Sequence, residues 1–280
     1  MASIVETART QRPPGRLSID LGRVLTSIRN RVRPSPEKRD RRRRARLTER
    51  ALRTITPDGV VRHGVFKGLK YPRLKSSGSA LFPKLLGSYE RELHPLLERI
   101  CKTPYTDVVD IGCAEGYYAV GLAMRLPRAT IHAFDTNPKA ARLCRKMAEL
   151  NGVADRLRLG STCDRGVLVQ IPFRGKSLIV SDCEGYEKTL FNARSVAAIA
   201  GHDVLIEVHD NFDPSISPHL RSVFEATHDI EVICSIDDPE KPRVYHYDEL
   251  EAFDVATRQT LLAEKRGAPM EWFFCRSRAA

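Results

Sequence analysis

No run of apolar residues in this 280-residue chain approaches the roughly 20 that a membrane-spanning helix needs; the longest are strand-length. The N-terminus also lacks the apolar core of a secretion signal, so a cytoplasmic protein is expected. No C-x-x-C pair or zinc spacing occurs. The seven cysteines, at 101, 113, 144, 163, 183, 234 and 275, are scattered and odd in number, which argues against a disulfide framework and for reduced, mostly buried thiols. No internal repeat is evident, which sets solenoid architectures aside. What is present, with 42% apolar residues, suffices for one medium-sized core with appendages.

The net charge of +11 is missing from most of the chain. Residues 1–56 hold 16 Lys/Arg against 5 Asp/Glu, whereas residues 57–280 hold 30 against 30. A domain that grips a polyanion carries basic surface of its own, so RNA or DNA is disfavoured as substrate. Residues 1–56 read as a basic, partly disordered tail. Its first 19 residues are rich in Pro, Arg and Ser, and Leu21, Val24, Leu25, Ile28 and Val32 then recur at the spacing of a basic amphipathic helix that Pro34 and Pro36 would end. The Arg run from Lys38 to Arg46 would continue as a helix through Leu47–Ile55. Such a tail would contact an anionic membrane surface, placing the protein peripherally there, or an acidic partner; the plain alternative is a solvated charge run. Residues 57–105 read as a lead-in: a small β-hairpin over 59–72, a loop over 75–87 that borders the site or merely connects, and a helix over Tyr89–Cys101 capped by Ser88.

The main domain, 106–280, opens on Asp107-Val-Val-Asp-Ile-Gly-Cys-Ala-Glu-Gly-Tyr-Tyr, a buried strand that ends in a glycine turn and passes directly into a helix. Gly112 and Gly116 would let the backbone turn sharply and approach a ligand at a helix N-terminus. The third glycine of a dinucleotide fingerprint is absent, so pyrophosphate is not favoured. The next apolar run, Ala129-Thr-Ile-His-Ala-Phe-Asp135, puts a carboxylate at a strand end 19 residues after Gly116, where it suits a ribose diol. Together these features resemble the class I S-adenosylmethionine-dependent methyltransferases. The resemblance implies that the loop of Asp110, Gly112 and Gly116 holds the methionine part of the cofactor and that Asp135 binds the ribose hydroxyls. Glu115 would then reach the methionine amino group or cap the helix, and Asp164, in Ser-Thr-Cys-Asp after the third strand, would lie near the adenine amino group.

From Asp107 onward, strands are expected near 107–111, 129–134, 156–160, 177–181 and 203–208, alternating with helices near 117–126, 137–151 and 186–200. A helix near 216–227, a strand near 230–236, a helix near 247–265 and a last strand over Trp272–Arg276 follow. Periodicity makes this a parallel α/β sheet. The resemblance makes it the Rossmann-like class I methyltransferase fold, a mostly parallel seven-stranded sheet flanked by helices.

The fourth and fifth strands carry Ser181-Asp-Cys-Glu-Gly-Tyr-Glu187 and Leu205-Ile-Glu-Val-His-Asp-Asn211. Their carboxyl ends lie side by side in such a sheet, so Asp182, Glu184, His209 and Asp210 would converge beside the transferable methyl group. The pair D-x-E-G-x-E and I-E-V-H resembles the FkbM-type methyltransferases, which implies O-methylation of a sugar or natural-product hydroxyl. No Asn/Asp-Pro-Pro-aromatic loop follows the fourth strand, which counts against a nucleobase amino acceptor. No proline precedes Cys183, which counts against a cysteine nucleophile.

A hydroxyl acceptor needs a base, and His209 has the side chain best suited near neutral pH, with Asp182 or Asp210 to orient it. Asp182 is expected to touch the cofactor as well. Alternatively, Asp182, Asp210 and Asn211 resemble the Mg2+ site of catechol-type O-methyltransferases, where the metal would acidify the hydroxyl. Glu184 and Glu187 have a plain role at the N-terminal end of the following helix. The expectation is therefore an S-adenosylmethionine-dependent O-methyltransferase acting on a small molecule, glycan or glycolipid. The alternatives are an RNA or protein methyltransferase that uses the Arg-rich tail, and a non-catalytic cofactor-binding scaffold.

Overall fold

The structure, a computed structural model, describes residues 34–279. The chain divides after Ala45 into two units, and the helix Pro36–Ile55 crosses that division. In the first unit the described residues run from the start of this helix and are almost all exposed, including Lys38, Arg39 and Arg41 to Arg44. The amphipathic helix expected over 21–32 lies outside the described residues. The second unit begins at Arg46, earlier than the expected boundary at 57. The reason is an apolar face: Leu47, Ala51, Leu52 and Ile55 pack with Phe82, Leu86, Tyr245, Leu250 and Leu262. No helix among the described residues is long and apolar enough to cross a membrane.

The second unit is built on a seven-stranded sheet: β1 Asp107–Ile111, β2 Thr130–Phe134, β3 Leu157–Gly160, β4 Ser177–Ser181, β5 Asp203–Val208, β6 His228–Cys234 and β7 Glu271–Ser277. Their order is β3-β2-β1-β4-β5-β7-β6, with β7 antiparallel to both its neighbours. This is the Rossmann-like methyltransferase fold that the motifs imply. The central strands β1, β4 and β5 are buried along their whole length because helices cover both faces. Alternation then divides their side chains between two cores. Val108, Leu178, Val180 and Leu205 enter one, and Val109, Ile179, Val204 and Ile206 the other. Each such side chain contributes roughly 1.5–3 kcal/mol on burial.

The lead-in differs from expectation. The segment 59–72 forms one antiparallel bridge, Val60 to Lys70, rather than a hairpin, because turns at glycines interrupt the pairing. Ser88 does not cap a helix; its hydroxyl is buried without a partner, and the helix starts later, at His94, after a short 3-10 turn over Arg91–Leu93. A helix over Leu81–Leu86 and another over Arg165–Gln170 were not expected. The helix expected over 186–200 is two, Glu187–Leu190 and Ala193–Ala198, because Asn192 starts the second with a capping box completed by Ser195. That expected over 247–265 is confined to Val255–Leu262, capped by Asp254, after a 3-10 turn at Asp248–Leu250.

Parallel pairing from Asp107↔Ser177 to Ile111↔Ser181 brings the ends of β1 and β4 together. At Gly112, with φ +87°, a β-carbon would stand 1.8 Å from the carbonyl oxygen of Asp182. The close approach that requires glycine here is therefore to the chain's own backbone. Gly116, with φ +100°, meets Cys144 Sγ at 2.8 Å in the same sense, so it serves helix packing. Gly112→Ala is expected to cost at least about 2 kcal/mol, from the left-handed backbone and the collision with Asp182. Urea denaturation of the ligand-free chain measures it, and an unchanged midpoint contradicts this account of the β1–β4 junction.

Candidate active site

A cavity of about 800 Å³ opens at the carboxyl ends of β1, β2, β4 and β5, where ligands of open parallel sheets bind. Four non-glycine residues among those described have a positive φ: Glu90, Ala114, Glu184 and Lys265. All four line this cavity. Left-handed backbone costs a non-glycine residue roughly 1–2 kcal/mol, and its confinement to one cleft is the pattern of a functional site.

One half of the cavity is shaped by the turn Gly112–Ala114, by Phe134 and Asp135 after β2, and by Ser161 to Cys163 after β3. Asp135 fastens two of these pieces, since Oδ2 accepts from the Ala114 N–H at 2.8 Å and Oδ1 from the Asn137 N–H at 2.7 Å. Beneath them Asp110 is 2% exposed, and its Oδ2 has no partner. Burial lifts its carboxyl to about 7, with the charge of Asp135 adding to the rise against a backbone N–H and Lys84. This half therefore offers one buried carboxyl oxygen without a donor, Asp110 Oδ2, and the carboxylate of Asp135 at the end of β2, which fits the ammonium and ribose hydroxyls of S-adenosylmethionine.

Two expected contributors point elsewhere. Glu115 is 1% exposed and turned away from the cavity. It accepts from Lys84 Nζ and Ser76 Oγ at 2.8 Å, from Tyr71 OH at 3.3 Å and from the Ser77 N–H at 2.9 Å. Burial pushes its carboxyl up, but Lys84 and these donors outweigh that and hold it below the ordinary glutamate range. It is thus a clasp that ties the loop at 76–77 to the glycine turn. Asp164 does not border the cavity; its side chain caps the helix Arg165–Gln170 through the Val167 N–H at 2.9 Å. Neighbouring Ser161, Thr162 and Cys163 take the lining position instead.

The other half is lined by charged side chains from four parts of the chain. Arg266, with a 15% exposed side chain, binds Glu90 at 2.6 Å, Glu264 at 3.0 Å and also Glu207. Its guanidinium lies 4.9 Å from the Trp272 ring centre. Tyr118 donates to Glu90. His209 is buried on the loop after β5, and its Nδ1 is 2.6 Å from Glu187 Oε1, on the fully buried glutamate that starts the helix after β4. The carboxylate accepts the Nδ1 proton, which leaves Nε2 with a free lone pair when the ring is neutral. Nε2 stands 3.5 Å from Asp182 Oδ1 and 3.7 Å from Glu184 Oε2. Burial works to lower the imidazole pKa; the Glu187 bond and the charges of Glu187, Glu207 and Glu184 outweigh it and raise the pKa.

Asp182 keeps Oδ1 buried and unbonded, and its carboxyl is pushed up to about 7 by burial, then by Glu90 and Glu184. Cys183, raised by burial and then by Glu187, is no thiolate near neutral pH, so it is not a nucleophile.

The expected metal ligands Asp182, Asp210 and Asn211 are not brought together. Asp210 faces the following helix, where its two oxygens accept from the Ser217 N–H at 2.9 Å and from Ser217 Oγ at 2.6 Å. Nor does Asp210 orient His209; Glu187 does. The groups that converge, with ligand atoms within 4.8 Å of one another, are Asp182, Glu207 and His209. Glu207 is already paired with Arg266 and His209 with Glu187, so the guanidinium supplies the positive charge of this cluster.

Residues 93–167 match the family model of the methyltransferase small domain. The release factor glutamine methyltransferase of Deinococcus radiodurans is 35% identical over 89 residues, 32% of this chain. The chain spans about a third of that relative's length, 31%. Among solved structures, a putative O-methyltransferase from Klebsiella pneumoniae aligns over 90% of this chain and 96% of its own, with 11% identity and a TM-score of 0.45. A methyltransferase from Geobacter sulfurreducens in complex with S-adenosyl-L-homocysteine covers 68% and 91%, with 17% identity and a TM-score of 0.42. The matched family segment contains Asp110, Gly112 and Asp135 and ends before β4, so it takes in much of the glycine-turn half and, of the charged residues in the other half, none.

An ionisation test follows from Asp110. Its carboxyl titrates near 3.8 when unperturbed and near 7 in the fold, so the folded state holds the extra proton between those values. That contribution is full below pH 4 and is lost as the pH rises through 7. Asp110→Asn is expected to flatten the decline and to stabilise the ligand-free chain at pH 8 by at least about 1 kcal/mol relative to its effect at pH 4. Urea midpoints at the two pH values decide it, and equal shifts at both contradict the raised pKa.

Proposed function

We propose that this chain is an S-adenosylmethionine-dependent methyltransferase whose acceptor is a hydroxyl of a small molecule, glycan or glycolipid, as the FkbM-type resemblance implies. The observation that carries the hydroxyl acceptor is the buried Glu187–His209 pair at 2.6 Å, with Nε2 turned to the end of the cavity beyond the glycine turn. The matched methyltransferase segment, the unpartnered Oδ2 of Asp110 and the carboxylate of Asp135 beside the cavity support the cofactor.

When bound, the cofactor supplies a methyl group activated on a sulfonium. The protein's work is to align, to exclude water and to take a proton. Asp135 would hold the ribose diol, and Asp110 would accept from the methionine ammonium. An acceptor hydroxyl would lie against His209 Nε2, which removes its proton as the new bond to oxygen forms. Glu187 keeps the imidazole in the required tautomer and stabilises the imidazolium, as do the charges of Asp182 and Glu184 at Nε2. Where a catalytic Asn/Asp-Pro-Pro-aromatic loop would serve an amide or amino acceptor, this chain has Asp182-Cys183-Glu184-Gly185.

The first experiment is calorimetric titration with S-adenosylmethionine and S-adenosylhomocysteine, with NAD as control. Binding of the first two alone is expected, weakened at least about tenfold in Asp135→Ala by loss of a charge-assisted hydrogen bond of roughly 1.5–3 kcal/mol. A folded chain that binds neither contradicts the methyltransferase reading.

Methyl transfer to hydroxylated acceptors then tests the base. His209→Gln is expected to lower kcat by about 10²–10⁴. In Glu187→Gln the loss of the carboxylate lowers the His209 pKa, so the rising limb of the rate against pH moves to lower pH while its plateau falls. A limb that stays in place removes His209 from the role of base.

A further inference from the structure

Two of the exposed large apolar side chains among the described residues are aromatic, Tyr186 at 41% and Phe212 at 60%, and both border the same cavity. Leaving a ring in water forgoes roughly 25 cal/mol for each Å² of apolar surface, so exposed rings at a cavity mouth mark a surface that a ligand covers. They sit on the two loops that also carry the base and its neighbours, Tyr186 after β4 and Phe212 after β5. The loops are held together: Lys188 Nζ donates to Asp213 at 2.9 Å and to Ser215 Oγ at 2.6 Å. The Phe212 N–H donates to the His209 carbonyl at 2.9 Å. Its ring lies within 20° of parallel to the imidazole, with centres 5.7 Å apart. Gly185, with φ +95°, brings the first loop against the same ring; a β-carbon there would be 3.4 Å from it.

Glu184 lines the same cavity, two residues before Tyr186. It has φ +52°, its side chain is 75% exposed, and Oε2 is 3.7 Å from His209 Nε2. Among the described residues no hydrogen bond occupies this carboxylate, and it is not buried by the helix that follows. A strained, solvent-facing carboxylate beside the lone pair of a base gives two acceptors close enough for neighbouring hydroxyl groups of one ring to donate to both. We infer that Glu184, Tyr186 and Phe212 form the acceptor subsite, and that it takes a cyclic vicinal diol: the ring lies along Phe212, one hydroxyl donates to His209 Nε2, and the adjacent hydroxyl donates to Glu184. The inference rests on the proposed hydroxyl methylation. Pyranosides and catechols share this chemistry, and the two are separated by the test below. Glu184 in this role is a positioning residue that selects the acceptor.

The test uses the full chain saturated with S-adenosylhomocysteine and reads ligand binding by saturation-transfer NMR. The probes are methyl glucopyranoside and catechol, each with a single-hydroxyl counterpart, tetrahydropyranol and phenol. At least one diol is expected to bind about tenfold more tightly than its counterpart, the scale of one hydrogen bond to a charged group. Preference for the pyranoside or for catechol identifies which ring source the subsite suits. Glu184→Gln is expected to abolish the diol preference, and Phe212→Ala to weaken diol and single-hydroxyl probe alike. Both are surface changes, so the affinity for S-adenosylhomocysteine is expected to stay unchanged and reports an intact fold. Equal binding of diol and counterpart, no binding of any probe, or a preference that survives Glu184→Gln overturns the subsite while leaving the methyl-transfer proposal standing. Loss of S-adenosylhomocysteine binding in the unmodified chain overturns the proposed function itself.

Discussion

The half of the cavity assigned to the acceptor depends on one guanidinium. Glu90, Glu207 and Glu264 come from three distant parts of the chain, and each is less than a tenth exposed. Three carboxylates so placed repel one another and lack water to screen them, and Arg266 binds all three. By doing so it joins the loop before the helix His94–Lys102, the fifth strand and the segment leading into β7. Burial and the nearby charges of Asp182 and Glu90 still push Glu207 well above the ordinary glutamate range. Glu264 is also held by the buried Lys241, whose Nζ lies 2.6 Å from its Oε1, so a second cation stands behind the guanidinium.

The site joins two kinds of construction. The half with the glycine turn consists of backbone turns at strand ends, held by Asp135 and by the Glu115 clasp. The other half consists of side chains held by other side chains, Glu187 on His209 and Arg266 on the carboxylates. The first kind depends on strand order and a few glycines, and it is the half that a family model of methyltransferases matches. The second depends on which loops meet above β4 and β5, and those loops lie outside that match. This division explains how one fold serves many acceptors.

Much of the sheet was legible in the sequence. β1, β4 and β5 are rich in apolar residues on both sides because both their faces are covered, and they have the limits that pattern predicts. The helices Tyr117–Arg125 and Pro138–Leu150 lie where the alternation of strand and helix put them, near 117–126 and 137–151. What failed was local and had local causes. Asn192 split a helix that apolar spacing alone would have run together, and glycine turns broke the hairpin pattern over 59–72. Residues 46–55, read as tail, join the core because a charged run can carry an apolar stripe on its buried face.

The sequence by itself determined the strand-end motifs: the glycine turn with Asp110, the carboxylate after β2, and the placing of Asp182, Glu184, His209 and Asp210 at adjacent strand ends. These are short-range features, fixed by spacing along a strand and by the turn that follows it. Only the tertiary structure decided which carboxylate holds His209, because Asp210 is its neighbour in sequence yet turns to Ser217, whereas Glu187, 22 residues away, is brought against Nδ1 at the start of the helix after β4. It alone assigned Glu115 to a buried lysine and Asp164 to a helix cap, and it alone brought Arg266 and Glu90 into the cavity from segments with no motif. Contacts of that kind are set by packing between distant segments, and a side chain's partner there depends on geometry that periodicity along the chain does not encode.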